Sequence, residues 1–253
     1  MATGTSERSG NDPKVDGAAL TGTAREAYVE RMFDGIAKPY DDLNRLISWG
    51  RDLQWRKDAM RLSGADVGGT VVDLGCGTGD FTIEAAKTVG PRGNVVGVDL
   101  SEGMLSVARG KLAAAGFSQA RVQKGNAQAT GLPDGLADAV TMGWVIRNVG
   151  DRPATYGEIR RVLKPGGRLV VLDCSRPDSW FVRFGFNLYL RLVMPLVVRL
   201  RGGDSSAYRY LADSTSRFLT AAELSAELRT ADFKDVASRG YMLGTIALHV
   251  ATR

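Results

Sequence analysis

From residue 70 onward the chain repeats one pattern: a short apolar run, a turn, then a segment with apolar positions three and four residues apart. The short runs fall at 70–74, 94–98, 120–124, 138–143 and 168–174 and predict strands, while 102–115 and 151–163 carry the helical period. Strands that are apolar on both faces belong to parallel sheets covered by helices, so the alternation predicts an α/β fold. Two more strand-like runs, near 235–239 and 245–252, lie close enough to pair as an antiparallel hairpin. The expected sheet is therefore seven-stranded and mostly parallel.

Turn residues mark the boundaries. Gly110 and Gly116 punctuate the second helix, and Pro165-Gly166-Gly167 is expected to stop a helix ending at Leu163-Lys164. Thr220-Ala221-Ala222-Glu223 has the spacing of a capping box. Residues 27–63 read as a helical cover in front of the sheet domain, which spans 27–253. Residues 1–26 are rich in Gly, Ser, Thr and Asp and lack an apolar signal-peptide core, so they read as a disordered leader. The segment 181–212 interrupts the alternation and reads as a lid or insertion. Its apolar part, 181–200, is broken by Arg183, Arg191, Arg199 and Pro195, which disfavours a membrane span and fits an amphipathic element or an ordinary core helix.

At 253 residues, 44% hydrophobic and 24% charged, the chain suits one globular domain with a full core. The net charge of +5 fits an anionic partner surface or a merely solvated basic face. Two cysteines, Cys76 and Cys174, with the lone His249, are too few for a structural zinc site, and no metal is expected. The expected location is the cytoplasm.

The candidate chemistry sits after the first strand, in Val71-Val72-Asp73-Leu74-Gly75-Cys76-Gly77-Thr78-Gly79-Asp80. Alternate glycines between a strand and a helix let backbone approach a ligand closely. The dinucleotide fingerprint requires a glycine where Asp80 stands, so the spacing is GxGxG. Asp73 and Asp80 flank the loop and would repel a pyrophosphate, whereas a sulfonium-bearing amino acid tolerates them. Asp99 ends the second strand and is placed to accept both hydroxyls of a ribose. Met104 fits packing on an adenine and core packing equally. Asn126 and Ala127 follow the third strand and offer an amide and a backbone N–H near the adenine edge.

Asp73 through Gly79, Asp99 and the Leu163-to-Gly167 corner together resemble class I S-adenosylmethionine-dependent methyltransferases, which have a Rossmann-like fold. Four segments sharpen the likeness: Phe33 to Asn44 with Ser48, Gly50 and Trp55-Arg56; Ile146-Arg147-Asn148-Val149; Ala207 to Ser214; and Ile246-Ala247-Leu248-His249. These are similar to the ubiquinone/menaquinone biosynthesis C-methyltransferases, which methylate a prenylated quinol ring. Three departures stand out. Gly143 and Trp144-Val145-Ile146 replace a common Ser and Phe-Gly-Leu, Asp52 stands where His is common, and Arg217 to Thr220 lacks the usual Pro.

The resemblance implies S-adenosylmethionine as cofactor, leaving as S-adenosylhomocysteine. Its contacts would be Asp73, Gly75, Cys76, Gly77, Thr78, Asp99, Leu100, Met104, Asn126, Ala127 and Gly143. The expected reaction is C-methylation of demethylmenaquinol or a ubiquinol precursor. Another phenolic or polyketide ring is the alternative acceptor, prompted by the departures near Gly143. Arg147 would hold the developing phenolate, or serve as a structural ion-pair partner. Asn148 and Tyr40 would orient the second ring oxygen or a bridging water. His249 has the residue type of a general base, but its apolar strand favours a structural role. The 28–60 helices and the 181–210 segment would enclose the ring, with Arg183, Arg191, Arg199 and Arg201 meeting anionic lipid headgroups at the inner face of the membrane. A homodimer is admitted as an assembly. No nucleic acid is expected, since no flipped-base motif or basic aromatic stripe follows the fourth strand.

Overall fold

The five apolar runs form strands β1 (Thr70–Leu74), β2 (Asn94–Asp99), β3 (Ala120–Lys124), β4 (Ala137–Gly143) and β5 (Leu163–Cys174) of one sheet. The structure, a computed structural model, describes residues 16–193 and 206–253. With β6 (Lys234–Tyr241) and β7 (Ile246–Thr252) the sheet has seven strands in the order β3-β2-β1-β4-β5-β7-β6. The first five are parallel; β7 runs antiparallel to both β5 and β6, as the predicted hairpin requires. The strand order reverses between β1 and β4, so the connections leaving them diverge and open a crevice at their carboxyl ends.

Successive side chains of each strand point to opposite faces, which divides the core in two. Val71, Val95, Ala139 and Val170 pack against Trp55 and Ala59 of α3 (Asp52–Leu62) and Phe81 and Ala85 of α4 (Asp80–Val89). Val72, Val96, Val140 and Leu169 face Ile159 of α6 (Arg152–Val162) and Leu224 and Leu228 of α9 (Ala221–Thr230). Each such Val, Leu, Ile or Phe side chain, fully buried, contributes roughly 1.5–3 kcal/mol. The helices begin where polar caps allow. Ser101 accepts the Met104 N–H to open α5 (Glu102–Ala114), Asp151 accepts that of Ala154 to open α6, and Thr220 with Glu223 completes the capping box of α9.

Two expectations about boundaries change. Pro165-Gly166-Gly167 does not end a helix, because α6 stops at Val162 and Leu163 already pairs with Ala137. The motif is an irregularity inside β5, where a Cβ on Gly167 would lie 3.0 Å from the carbonyl oxygens of both Asp138 and Lys164. The expected leader also divides. Residues 1–15 lie outside the described residues, whereas α1 (Gly22–Ile36) starts within the span read as disordered. Its Gly22 N–H donates to Gly150 O, Ala18 is buried, and Glu26 takes hydrogen bonds from Asn126 and Gln128. Composition missed this because the ordering partners are about 100 residues away.

The cover is helical as predicted. It comprises α1, α2 (Tyr40–Ser48) and α3, and it meets the insertion through Leu43 and Ile47, which pack on Leu190 and Ala212. The insertion contains α7 (Trp180–Leu188), a π-helical turn at Tyr189–Val193 and α8 (Ser206–Ser216). Pro195, Arg199 and Arg201 lie outside the described residues. No helix among the described residues is long and apolar enough to cross a membrane.

Candidate active site

Gly75 and Cys76 turn out of β1 by donating their N–H groups to the Val98 carbonyl, at 2.7 and 3.1 Å. Gly75, Gly77 and Gly79 all have φ between 53° and 85°, a region that side chains disfavour. At Gly75 the restriction is also spatial: a Cβ there would lie 2.2 Å from Cγ2 of Val145. The Asp99 carboxylate ties this loop to β2, accepting the Gly77 N–H at 2.8 Å and the Ser101 N–H at 2.9 Å. Burial raises its pKa despite those bonds. Each of its oxygens keeps a lone pair with which to accept a hydroxyl. Gly75, Gly77, Asp99, Leu100, Met104, Asn126, Ala127 and Gly143 line one cleft, with Tyr40 and Trp144 at its inner end. Asn126 needs correction, since its side-chain amide is bonded to Glu26 at 3.0 Å and its carbonyl oxygen to the Gln128 N–H at 2.9 Å. It shapes the cleft with its oxygen and one of its two amide N–H groups already engaged.

A second, smaller cleft lies across the glycine loop and holds Asp73, Cys76 and Thr78. Cys76 enters by backbone, because a Cβ on Gly97 would meet its sulfur at 2.9 Å and the thiol is turned inward. The Thr78 hydroxyl donates to Asp41 of α2 at 2.5 Å, so it fastens the cover. Asp73 is fully buried and accepts hydroxyl bonds from Thr82 at 2.7 Å and Thr141 at 2.8 Å. Desolvation pushes its pKa up to about 6. A group whose folded pKa is raised stabilises the fold fully below its unfolded value and loses that contribution as pH rises through the folded one. Wild type should therefore lose about 3 kcal/mol relative to Asp73→Asn between pH 4 and pH 7, in urea titrations of both proteins. A constant difference would refute the shift.

Asp80 corrects the electrostatic argument. It is paired with Arg45 at 2.8 Å and with Lys111, while Arg56 lies 3.9 Å away, so the loop does not present an unopposed acid there. Arg45 and Arg56 also grip Asp52 at 2.7 and 2.6 Å, and Lys111 reaches Asp41 at 2.7 Å. This network joins the cover helices to the amino end of α4.

On the other side of Tyr40 and Trp144 lies an apolar cavity of about 480 Å³, lined by Leu43, Ile47, Trp55, Val182, Phe186 and Ile246 among others. Arg147 is in its wall. The guanidinium pairs with Asp173 at 2.5 Å and donates to the Trp144 carbonyl at 2.9 Å, while its buried Nε has no partner. The structural ion-pair reading of Arg147 is therefore met, and Nε is left as a donor in the cavity wall. Burial raises the pKa of Tyr40, which keeps its phenol protonated. Asn148 does not line the cavity: its amide donates to Trp144 O at 3.0 Å and its oxygen accepts from Tyr210 at 3.0 Å. It holds the turn that presents Arg147. His249 bonds Ala221 O through Nε2 at 2.9 Å and burial lowers its pKa, so it is a neutral structural group.

The pattern missed Asp173, Arg56, Trp144 and Glu26. Asp173 carried a signal, an acid at a strand's carboxyl end, and Arg56 stands one helical turn after Asp52. Trp144 is unforeseeable from its type, since its φ of 59° is costly for a bulky residue. Its ring lies over the Arg56 guanidinium at 4.5 Å. Gly143 also finds its reason, because a Cβ there would be 2.9 Å from Cδ2 of Phe81. Gly143→Ser should cost about 1–3 kcal/mol in urea denaturation, with recovery when Phe81 is also shortened to Leu. An unchanged midpoint would remove Phe81 as the cause.

The donor set fits an adenosyl cofactor: a carboxylate for the diol, apolar Leu100 and Met104 beside it, and glycine backbone that a side chain would crowd. A model of the ubiE/COQ5 methyltransferase family matches residues 21–253. The demethylmenaquinone methyltransferase of Symbiobacterium thermophilum is 41% identical over 235 residues, covering 90% of this chain and 94% of that one. The enzyme of the same name from Geobacillus stearothermophilus is 39% identical over 227 residues, covering 90% and 97%. Among solved structures, a SAM-dependent methyltransferase from Aquifex aeolicus shares the fold with a TM-score of 0.60 at 21% identity, over 84% of this chain and 96% of that one.

Proposed function

The chain belongs to the ubiE/COQ5 methyltransferase family, and on that premise we propose that it methylates a ring carbon of a prenylated quinol, demethylmenaquinol first. The observation that carries this reading is the apolar cavity that meets the cofactor cleft at Tyr40 and Trp144, with Arg147 in its wall. S-adenosylmethionine supplies an electrophilic methyl group on sulfonium. Arg147 supplies fixed positive charge toward a quinol oxygen, so the hydroxyl gives up its proton to solvent as the quinol enters and the ring carbon beside it becomes nucleophilic; once that carbon has taken the methyl group and S-adenosylhomocysteine is released, its hydrogen passes as a proton to the ring oxygen and restores the aromatic ring. Tyr40, held neutral, donates a hydrogen bond and does not act as base. Asp173 keeps the guanidinium in place and Asn148 keeps the turn. The apolar walls exclude water from the methyl transfer.

Incubation with methyl-labelled S-adenosylmethionine and demethylmenaquinol should carry label into the organic extract. Label appearing only with a tail-less phenol would transfer the reading to the alternative acceptor, and no label with either would end it.

The lipophilic substrate extends the proposal to the membrane. The inner side of α7 lines the cavity, while Trp180, Phe181 and Phe184 on its other side are 59%, 68% and 64% exposed. Segment 180–193 holds Arg183 and Arg191, the latter paired with Asp213 at 3.2 Å, and no acid of its own, which suits anionic headgroups at the cytoplasmic face. Replacing the three aromatics by Ser should lower binding to anionic vesicles at least tenfold and leave S-adenosylhomocysteine affinity unchanged. Equal vesicle binding would refute this surface. A homodimer completes the expectation, and a single species of monomer mass in sedimentation equilibrium would exclude it.

A further inference from the structure

Asp99 commits the adenosyl end of the cofactor to one of the two clefts. The other cleft, across Gly75, Gly77 and Gly143, is then left for the amino-acid tail, a zwitterion that brings one carboxylate and one ammonium. The acids Asp73 and Asp80 line that second cleft, and so does one cation, Arg56. We propose that Arg56 binds the cofactor, holding the carboxylate of its amino-acid tail. The proposal rests on the methyl donor assigned above.

Three observations support it. Arg56 is buried, and among the described residues its one hydrogen bond is from Nη1 to Asp52 at 2.6 Å. Its Nη2 stands 3.9 Å from Asp80, too far for a hydrogen bond, which leaves donors for a planar carboxylate. The neighbouring cations are differently engaged: Arg45 bonds both Asp52 and Asp80, and Lys111 bonds both Asp41 and Asp80. The Trp144 ring 4.5 Å away and Asp52 fix the guanidinium plane before a ligand arrives, so little side-chain freedom is lost on binding. The tail is also neutral overall, so its carboxylate on Arg56 and its ammonium beside the acids Asp73 and Asp80 add no net charge to the cleft.

A purely structural Arg56, serving only Asp52 and Asp80, would act on every ligand alike. The distinguishing measurement is isothermal titration of wild type and Arg56→Met with S-adenosylmethionine and with its decarboxylated analogue, which differ only in that carboxylate. Wild type should prefer the carboxylated ligand about 10- to 150-fold, the range of a hydrogen-bonded charged pair. In Arg56→Met the preference should fall to about threefold or less, with the analogue bound as in wild type. Parallel weakening of both ligands, or a preserved preference, would overturn the proposal. Should Arg56→Met fail to give a native circular dichroism spectrum, Arg56→Lys keeps the charge and removes the fork. It should retain part of the preference, and an unaltered ratio there would also overturn the assignment. Wild type that binds both ligands equally refutes Arg56 alone, whereas wild type that binds neither refutes the cofactor cleft itself.

Discussion

Arg147→Lys should lower turnover of the quinol about 10²- to 10³-fold while S-adenosylhomocysteine binds as to wild type. The separation follows from position, because Arg147 lines the acceptor cavity and not the adenosyl cleft. Lysine keeps a charge for Asp173, so the core does not acquire an unpaired carboxylate. It loses the Nε donor, which in wild type stays free of protein partners while Nη1 alone bonds both Asp173 at 2.5 Å and Trp144 O at 2.9 Å; a lysine ammonium would be spent on those two acceptors. Arg147→Met is a harsher change. Asp173 would keep only backbone donors, Cys174 N at 2.7 Å and Arg147 N at 3.3 Å, and stability should drop by about 3–5 kcal/mol. Unchanged turnover in the lysine variant would remove Arg147 from the reaction.

Asp52→Ala should destabilise the protein by about 3–5 kcal/mol and loosen the cover from the sheet domain. Asp52 is fully buried and receives Arg45 at 2.7 Å, Arg56 at 2.6 Å and the Ser48 hydroxyl at 2.8 Å. Removing it leaves two guanidiniums competing for Asp80 in a poorly solvated place. Urea titration reads the stability, and limited proteolysis between α2 and α3 reads the loosening. A loss under about 1 kcal/mol would show that Asp80 suffices for both arginines.

The amphipathic element at 181–200 shows how far a periodic pattern carries. Within its described part, the side of α7 with Trp180, Phe181 and Phe184 is exposed and the other lines the cavity. Period alone does not say which face of a helix is covered by protein. Asn148 and Asn126 teach the same lesson for polar groups. Asn126 is expected from the sequence to offer its amide to an adenine and Asn148 to orient a ring oxygen or a water, and each is bonded by a distant residue, Glu26 at 100 positions and Tyr210 at 62.

What the sequence by itself determined is local. Strands apolar on both faces called for a sheet covered by helices on both sides, and glycines at alternate positions between a strand and a helix for a close backbone approach. Those features depend on steric limits and periodicity within a few residues. The tertiary structure alone decided which charges are spent and which remain available. Asp80 is neutralised by Arg45 and Lys111, Arg147 is paired with Asp173, and Arg56 keeps donors free. Partners distant in the chain meet there under low solvation, and in that setting an ionic group's role depends on its neighbours more than on its type.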